Sequence, residues 1–131
     1  MFLWMAESLI PLIQADLASI PPGAKLVFTG HSLGAAIAYL LACWFSKNSG
    51  YEVANYVGFG SPRVGSHAFC VLPRTFRSYD IYNALDPVPT CPMRVSLTLN
   101  SLGGGDVFPF LHRWDHQPRG WELNPDGSLV F

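Results

Sequence analysis

In the stretch LVFTGHSLGAAIAYLLACWF, residues 26–45, the pattern of apolar residues changes at a Gly-His-Ser-Leu-Gly pentapeptide. Before the pentapeptide the residues are apolar, as in a short buried strand. After it, alanines and large apolar residues continue as in a helix. Almost no loop separates the two patterns, so the chain must turn very tightly. Gly30 and Gly34 stand two residues on either side of Ser32, where the absence of a Cβ lets strand and helix approach closely.

Ser32 is predicted to lie at the sharp corner between strand and helix, with a strained backbone and an exposed hydroxyl. The N–H groups that begin the helix point toward the same corner. They suit the negative oxygen that forms when a hydroxyl attacks a carbonyl carbon. The alternative is a packing turn that contains a serine by chance. We favour a nucleophile, because an apolar strand ends at the pentapeptide and an alanine-rich helix begins in it.

The composition indicates one domain with little charge. The chain has 131 residues, of which 50% are hydrophobic and only 13% are charged, against the usual quarter. Either much of the chain is core, or part of its surface is apolar because it meets lipid, a partner or another piece of the protein. A net charge of −1 without a basic cluster gives no reason to expect a nucleic-acid partner. The three cysteines lack metal-ligand spacing, so no metal site is predicted.

The first twenty residues are apolar, but their pattern is not that of a targeting segment. They lack a basic start, Glu7 and Asp16 interrupt them, and no cleavage site follows an unbroken apolar core. The interruptions also make the segment unsuited to spanning a bilayer. Apolar residues recur at helical spacing and predict an amphipathic helix, with a kink or a late start at Pro11. With no leader or membrane span evident, the compartment is not determined, and a cytoplasmic location is the default expectation.

Strand and helix patterns alternate along the rest of the chain. The first strand is expected to be central and buried, and the predicted strand, helix, strand and strand cover residues 25–29, 33–45, 53–58 and 76–83. Three prolines within residues 87–92 exclude helix and central strand there. Residues 121–130 predict a hairpin with an Asn-Pro-Asp-Gly turn. This order indicates an α/β fold with a mostly parallel sheet and helices on its faces.

A nucleophilic serine needs a base, and the base needs an acid that orients it. Where the serine stands on such a strand-to-helix turn, the acid and then the histidine follow along the chain. Asp86 comes directly after a predicted strand, in a loop made rigid by prolines, whereas Asp80 lies inside that strand. His67 precedes both acids and breaks the order. His112 and His116, in FLHRWDHQP at residues 110–118, both remain open as the base.

Three segments in this order resemble the class 3 lipases, the fungal-lipase-like α/β-hydrolases. VFTGHSLGAAIAYLLA, residues 27–42, is similar to the nucleophile elbow of that family, with Ala35 where a glycine is usual. VGFGSPRVGS, residues 57–66, resembles the strand and loop that follow the elbow helix. YNALDPVPTCP, residues 82–92, resembles the segment that carries the acid. The resemblance extends over roughly residues 8–131.

The resemblance implies a partial α/β-hydrolase fold with a nucleophile elbow and a C-terminal hairpin. It implies a lipase-like serine esterase that acts on acylglycerols or related lipid esters through an acyl-enzyme, without a metal or organic cofactor. Ser32 is then the nucleophile, Asp86 the acid of the catalytic triad, and the backbone N–H of Leu33 an oxyanion donor. Gly30, His31 and Gly34 complete the elbow.

The same resemblance favours His116 as the base. WDHQPRGWEL, residues 114–123, supplies the family's aromatic-x-His pattern, followed by Gln117 and Pro118 in place of the usual Val-Gly. His112 has a similar preceding pattern, but the residues after it fit less well. The spacing from His116 to the closing strand at Trp121 also fits better.

The family has a substantial N-terminal half, with further strands, a lid and a second oxyanion donor, that this sequence does not contain. Residues 1–131 are therefore expected to form a single truncated domain. A lipid ester is the expected substrate, and contact with a lipid surface and self-association through an exposed sheet edge are expected consequences. The alternative function is a catalytically weak or inactive lipase-like interaction module.

Overall fold

The computed structural model describes residues 1–21, 23–65, 67–70, 72–83 and 85–91, together with the backbone of residues 120–123 and 129–130. The helices are α1 (Phe2–Leu17), α2 (Leu33–Asn48), the short α3 (His67–Cys70) and a 3₁₀ turn at Val88–Thr90. The strands are β1 (Lys25–His31), β2 (Glu52–Phe59), β3 (Arg77–Asn83), β4 (Gly120–Leu123) and β5 (Leu129–Val130).

The five strands form one sheet in the order β1-β2-β3-β4-β5. The first four strands are parallel, and β5 is antiparallel to β4. The parallel sheet and the C-terminal strand pair therefore agree with the fold class predicted from the sequence. The predicted turn of that hairpin lies outside the described residues.

β1 is the edge strand of the described sheet, so the expectation of a central and buried strand is wrong. It pairs with β2 on one side, and its residues alternate between exposed and half-buried. Val27 keeps 59% of its surface accessible. An apolar, β-branched strand has the same sequence pattern at the centre and at the edge of a sheet, because the pattern of one strand does not determine how many strands pair with it.

α1 runs through Pro11, so of the two expectations, a kink or a late start at Pro11, the late start is wrong. Proline removes one hydrogen bond of the helix, but packing holds the helix on both sides of Pro11, with Ala6 buried before it and Leu17 buried at the end. Phe2 packs partly against the same core. No helix within the described part of the chain is long and apolar enough to cross a membrane.

The core lies between α2 and the sheet. Tyr39 on α2 is fully buried and meets Tyr56 of β2 edge-on, with ring centroids 5.2 Å apart. Phe69 and Phe76 pack on the same ring, and the Arg74 guanidinium lies 5.1 Å above it. Burial of each such side chain stabilises the fold by about 1.5–3 kcal/mol. These contacts hold α2 firmly against β2, and with it the turn from which α2 begins.

Candidate active site

The turn at Ser32 contains a single residue between strand and helix. β1 ends at His31 and α2 begins at Leu33. Ser32 has φ 52° and ψ −125°, and it is the non-glycine residue with positive φ in the described part of the chain. Such a conformation costs on the order of 1–3 kcal/mol and persists only where its surroundings hold it.

Backbone hydrogen bonds on both sides hold the Ser32 conformation. The Ser32 N–H donates to the Phe59 carbonyl at the end of β2, at 2.9 Å. The Ser32 carbonyl accepts from the N–H groups of Ala35 and Ala36, at 3.0 and 3.3 Å. The residue is therefore tied to the sheet through its nitrogen and to the first turn of α2 through its oxygen.

Gly30 provides the close approach that the tight turn needs. An ideal Cβ at Gly30 would lie 2.5 Å from the carbonyl carbon and oxygen of Gly34 and 2.7 Å from the Ala35 nitrogen, all of which are backbone atoms. A Cβ at Gly34 would meet no described atom within 4 Å, apart from the helix's own backbone. The close-approach role that the sequence suggested for both glycines is thus performed by Gly30.

Asp86 lies beyond the end of β3, in the loop that contains the prolines. Its N–H donates to the Asn83 carbonyl at 2.9 Å, and its Oδ1 accepts from the Val88 N–H at 2.9 Å. The carboxylate is half-buried, and these bonds orient it. Because β1 and β3 are both parallel to β2, Ser32 and Asp86 follow strands whose carboxyl ends share one edge of the sheet.

Gly60 leaves space beside the carboxylate of Asp86 that a side chain would fill, and the sequence reasoning did not identify this position. It has φ +55°, and a Cβ there would lie 2.6 Å from Asp86 Oδ2 and 4.0 Å from His31 Nε2. Its N–H donates to the Ile81 carbonyl at 2.8 Å. The glycine of the FGSPRVG segment was the available signal, because a glycine directly after a strand often marks a close approach.

Asp80, the other acid considered, lies in a different place. It is 5% exposed, and its Oδ1 lies 3.3 Å from the hydroxyl oxygen of Tyr56. Burial raises the pKa of Asp80 to about 7, and the hydrogen bond to Tyr56 opposes part of that rise. An acid in the middle of a strand pattern is uncommon, and in the sequence this was the only indication that Asp80 lies in an unusual environment.

The two histidines proposed as the base, His116 and His112, lie outside the described residues, so no distance joins either to Ser32 or Asp86. His67, which breaks the expected order, begins α3. Within the described ranges no group of three or more His, Cys, Asp or Glu residues could hold a metal ion.

Three exposed apolar side chains surround the edge at which Ser32 and Asp86 lie. Leu33 follows Ser32 and is 38% exposed, Phe59 receives the Ser32 N–H and is 43% exposed, and Leu85 precedes Asp86 and is 86% exposed. We call these three residues the apolar rim. A nucleophile candidate among exposed apolar side chains is suited to a substrate with an apolar part.

Comparison with protein families gives a match to the family Lipase (class 3) over residues 1–96. Among curated relatives, the secreted mono- and diacylglycerol lipase 1 of Fusarium solani is 41% identical over 73 residues, which are 54% of this chain and 21% of that protein. The secreted mono- and diacylglycerol lipase A of Penicillium cyclopium is 37% identical over 73 residues, 55% of this chain and 24% of that protein. The chain therefore spans about a fifth to a quarter of the length of these relatives.

Solved lipase structures share the fold. The Rhizomucor miehei lipase in complex with its propeptide superposes with a TM-score of 0.68, at 22% identity over 98% of this chain and 39% of that chain. A lipase from Rhizopus microsporus var. chinensis gives 0.64, at 23% identity over 97% of this chain and 41% of that chain. The partial sheet with its helices is thus part of the α/β-hydrolase fold that these lipases have.

The names of the curated relatives contradict the expectation of a cytoplasmic location. The relatives from Fusarium solani, Penicillium cyclopium and Penicillium camembertii are each named as secreted lipases. The default was wrong because it depended on finding no leader in residues 1–20, and the start of this sequence does not report the compartment.

Proposed function

The chain belongs to the class 3 lipase family, and from that premise we propose that it carries the nucleophile elbow of a serine carboxylic-ester hydrolase acting on acylglycerols or related lipid esters. The observation that carries the proposal is the conformation of Ser32, a non-glycine residue at φ 52° directly before a helix. Mono- and diacylglycerol lipases among the relatives support a lipid ester as substrate.

In the proposed reaction, the Ser32 hydroxyl attacks the ester carbonyl carbon. The carbonyl oxygen becomes an oxyanion, and the N–H of Leu33, at the start of α2, stabilises it. This N–H is one of the first four of a helix, which have no partner within the helix. The tetrahedral intermediate expels the alcohol and leaves an acyl-enzyme on Ser32, and water then repeats the attack and releases the fatty acid.

His116 is the proposed base, and Asp86 the acid that orients it. The histidine takes the proton of Ser32 and gives it to the departing alcohol, while the carboxylate stabilises the imidazolium. The geometry of Asp86 supports this role, because Oδ1 accepts from the Val88 N–H while Oδ2 lies in space that a Cβ at position 60 would fill. His112 is the alternative base.

The apolar rim supports a substrate with an acyl chain and contact with a lipid surface. Leu33, Phe59 and Leu85 leave apolar area in water beside the proposed nucleophile, and burial of that area against an acyl chain is favourable by about 25 cal/mol per Å². Within the described sheet β1 pairs on one side only, which supports a second proposal, self-association through its other side. That residues 1–131 form a single domain stays a prediction.

A serine-directed fluorophosphonate probe tests the proposal on the whole chain. We expect the probe to label Ser32 in the wild type. The variant Ser32→Ala should not be labelled, and its kcat on p-nitrophenyl butyrate should be lower by about 10⁴ to 10⁶. Ser46→Ala is the matched control, because Ser46 lies on α2 and its hydroxyl donates to the Cys43 carbonyl. A folded wild-type chain without labelling or turnover would support the interaction module instead.

A further inference from the structure

Asp80 is a buried carboxyl group that the proposed triad does not use. It lies in the middle of β3, and its side chain occupies the sheet face that α2 covers. The Tyr56 hydroxyl oxygen lies between two oxygens, 3.3 Å from Asp80 Oδ1 and 3.1 Å from the Ala35 carbonyl oxygen. All three groups are buried, so the cost of a missing hydrogen bond is high.

The number of protons available to these three groups favours the acid form of Asp80. A tyrosine hydroxyl has one hydrogen to donate, and a carbonyl oxygen and an ionised carboxylate can only accept. If Asp80 is ionised, the Tyr56 hydroxyl can donate to Asp80 or to the Ala35 carbonyl, so these two acceptors compete for one proton. If Asp80 is protonated, its O–H donates to the Tyr56 oxygen and the Tyr56 O–H donates to the Ala35 carbonyl. The acid form alone makes both contacts hydrogen bonds, and the raised pKa of Asp80, about 7, agrees with it.

Gly58 leaves the space that this arrangement needs. It is in register with Asp80 on the neighbouring strand, and an ideal Cβ there would overlap the Tyr56 hydroxyl and Asp80 Oδ1. Residues 33–40, the first two turns of α2, carry no charged side chain, and β4 has Gly120 in register with Asp80. Further titratable or charged residues lie on these elements: Tyr39, Cys43 and Lys47 on α2, Glu52 on β2, Arg77, Tyr79 and Tyr82 on β3, and Glu122 on β4.

The arrangement reaches the proposed nucleophile through Ala35. The Ala35 carbonyl receives the contact from Tyr56, and the Ala35 N–H donates to the Ser32 carbonyl at 3.0 Å. Ala35 therefore stands between the buried hydroxyl and the strained residue at φ 52°. A tether at this point restrains the first turn of α2, on which the Ser32 hydroxyl and the Leu33 N–H both depend.

We propose that Asp80 and Tyr56 are positioning residues for the nucleophile elbow: Asp80 in its acid form donates to Tyr56, which donates to the Ala35 carbonyl and fastens the first turn of α2 to β2 and β3. The inference rests on the proposed esterase function for its effect on activity. When Asp80 ionises, the Tyr56 hydroxyl turns to the carboxylate and releases Ala35, and the reactivity of Ser32 falls.

The test measures the rate of fluorophosphonate labelling of Ser32 on both sides of pH 7. In the wild type we expect a decline as the pH rises through the pKa of Asp80. Asp80→Asn should label as fast as the wild type at low pH and lose the decline, because the amide N–H can still donate to Tyr56. Tyr56→Phe should label about five- to tenfold more slowly, the worth of one hydrogen bond, and without the decline.

Glu52→Gln is the control, an exposed acid at the start of β2 that should keep the wild-type profile. A purely structural Asp80 would change the amount of folded protein and leave the pH profile of the folded fraction intact. If the labelling rate of Asp80→Asn still falls as the pH rises through 7, the proposal is overturned. If Tyr56→Phe does not fold, the profile of Asp80→Asn decides by itself.

Infrared spectroscopy separates this proposal from the proposed function. A buried, protonated carboxyl has its own C=O stretching band, and we expect that band below pH 7 in the wild type and its absence in Asp80→Asn. If Ser32 is never labelled while this band is present, the esterase proposal fails, but the proposed hydrogen bonds from Asp80 to Tyr56 and from Tyr56 to Ala35 are still supported. If the band is missing in the wild type, the chain from Asp80 to Ala35 is refuted, whatever the activity.

Discussion

The stability of this protein should fall as the pH rises toward neutrality, and Asp80→Asn should remove much of that fall. Burial raises the pKa of Asp80 from 3.8 to about 7 in the folded chain. Between these two values the unfolded chain has lost the Asp80 proton and the folded chain still holds it. The unfolded state then binds fewer protons, so the free energy of unfolding decreases with pH in this range and levels off above it.

The size of the effect follows from the size of the shift. Each unit of pKa difference corresponds to 1.36 kcal/mol, so a shift of about three units destabilises the folded state by about 4 kcal/mol once Asp80 is ionised in both states. Asp80→Asn cannot ionise, and its amide keeps a donor for Tyr56. We expect the variant to match the wild type near pH 4 and to be more stable than it above pH 7.

Urea denaturation at a series of pH values measures both curves, with the slope m checked for constancy. Glu52→Gln serves as the control, because Glu52 is 62% exposed and its side chain pairs with Lys25 at the surface. Its curve should run parallel to that of the wild type. If Asp80→Asn also gives a parallel curve between pH 4 and pH 7, Asp80 is ionised in the folded protein and the reasoning is wrong.

Three further predictions concern the elbow and the proposed triad. Gly30→Ala should destabilise the fold by about 1–3 kcal/mol, measured by thermal denaturation, because the added Cβ would meet backbone atoms. Gly34→Ala should leave the stability unchanged or raise it, because a Cβ there meets no such atoms. Equal losses of stability in the two variants would contradict this packing argument. Asp86→Asn should lower kcat on p-nitrophenyl butyrate by about 10⁴, because the amide can hold the wrong tautomer of the base, and near-normal turnover would remove Asp86 from the triad. His116→Ala should abolish turnover while His112→Ala retains most of it, and the reverse result would make His112 the base.

Local pattern was enough to predict most of the elements. The start of α2 at Leu33 was predicted to the residue, because the change of period and the glycine at position 30 are both local properties of the chain, whereas β1 ends at His31, two residues beyond its predicted end. The strands β2 and β3 begin and end within one residue of their predicted bounds for the same reason. The four-residue helix α3 was not predicted, since a single helical turn has too few residues to show a period.

The position of Asp86 was also accessible from the sequence, because the order of motifs and the prolines around it are written along the chain. The space that Gly60 leaves beside the Asp86 carboxylate was not accessible from the sequence, since these two residues are 26 positions apart. The base stays a prediction, with His116 favoured over His112 by spacing.

Only the tertiary structure decided the position of β1 in the described sheet and the burial and hydrogen-bond partners of Asp80. An apolar strand does not encode the number of its neighbours, and in the described sheet β1 is an edge strand that pairs with β2 alone. In the sequence, Asp80 is simply an acid within a strand. The neutral form that we propose depends on burial beneath α2, beside a tyrosine hydroxyl with one proton to donate to the Asp80 and Ala35 oxygens. Residue types and periods are local, whereas solvation and hydrogen-bond partners depend on what the fold brings together.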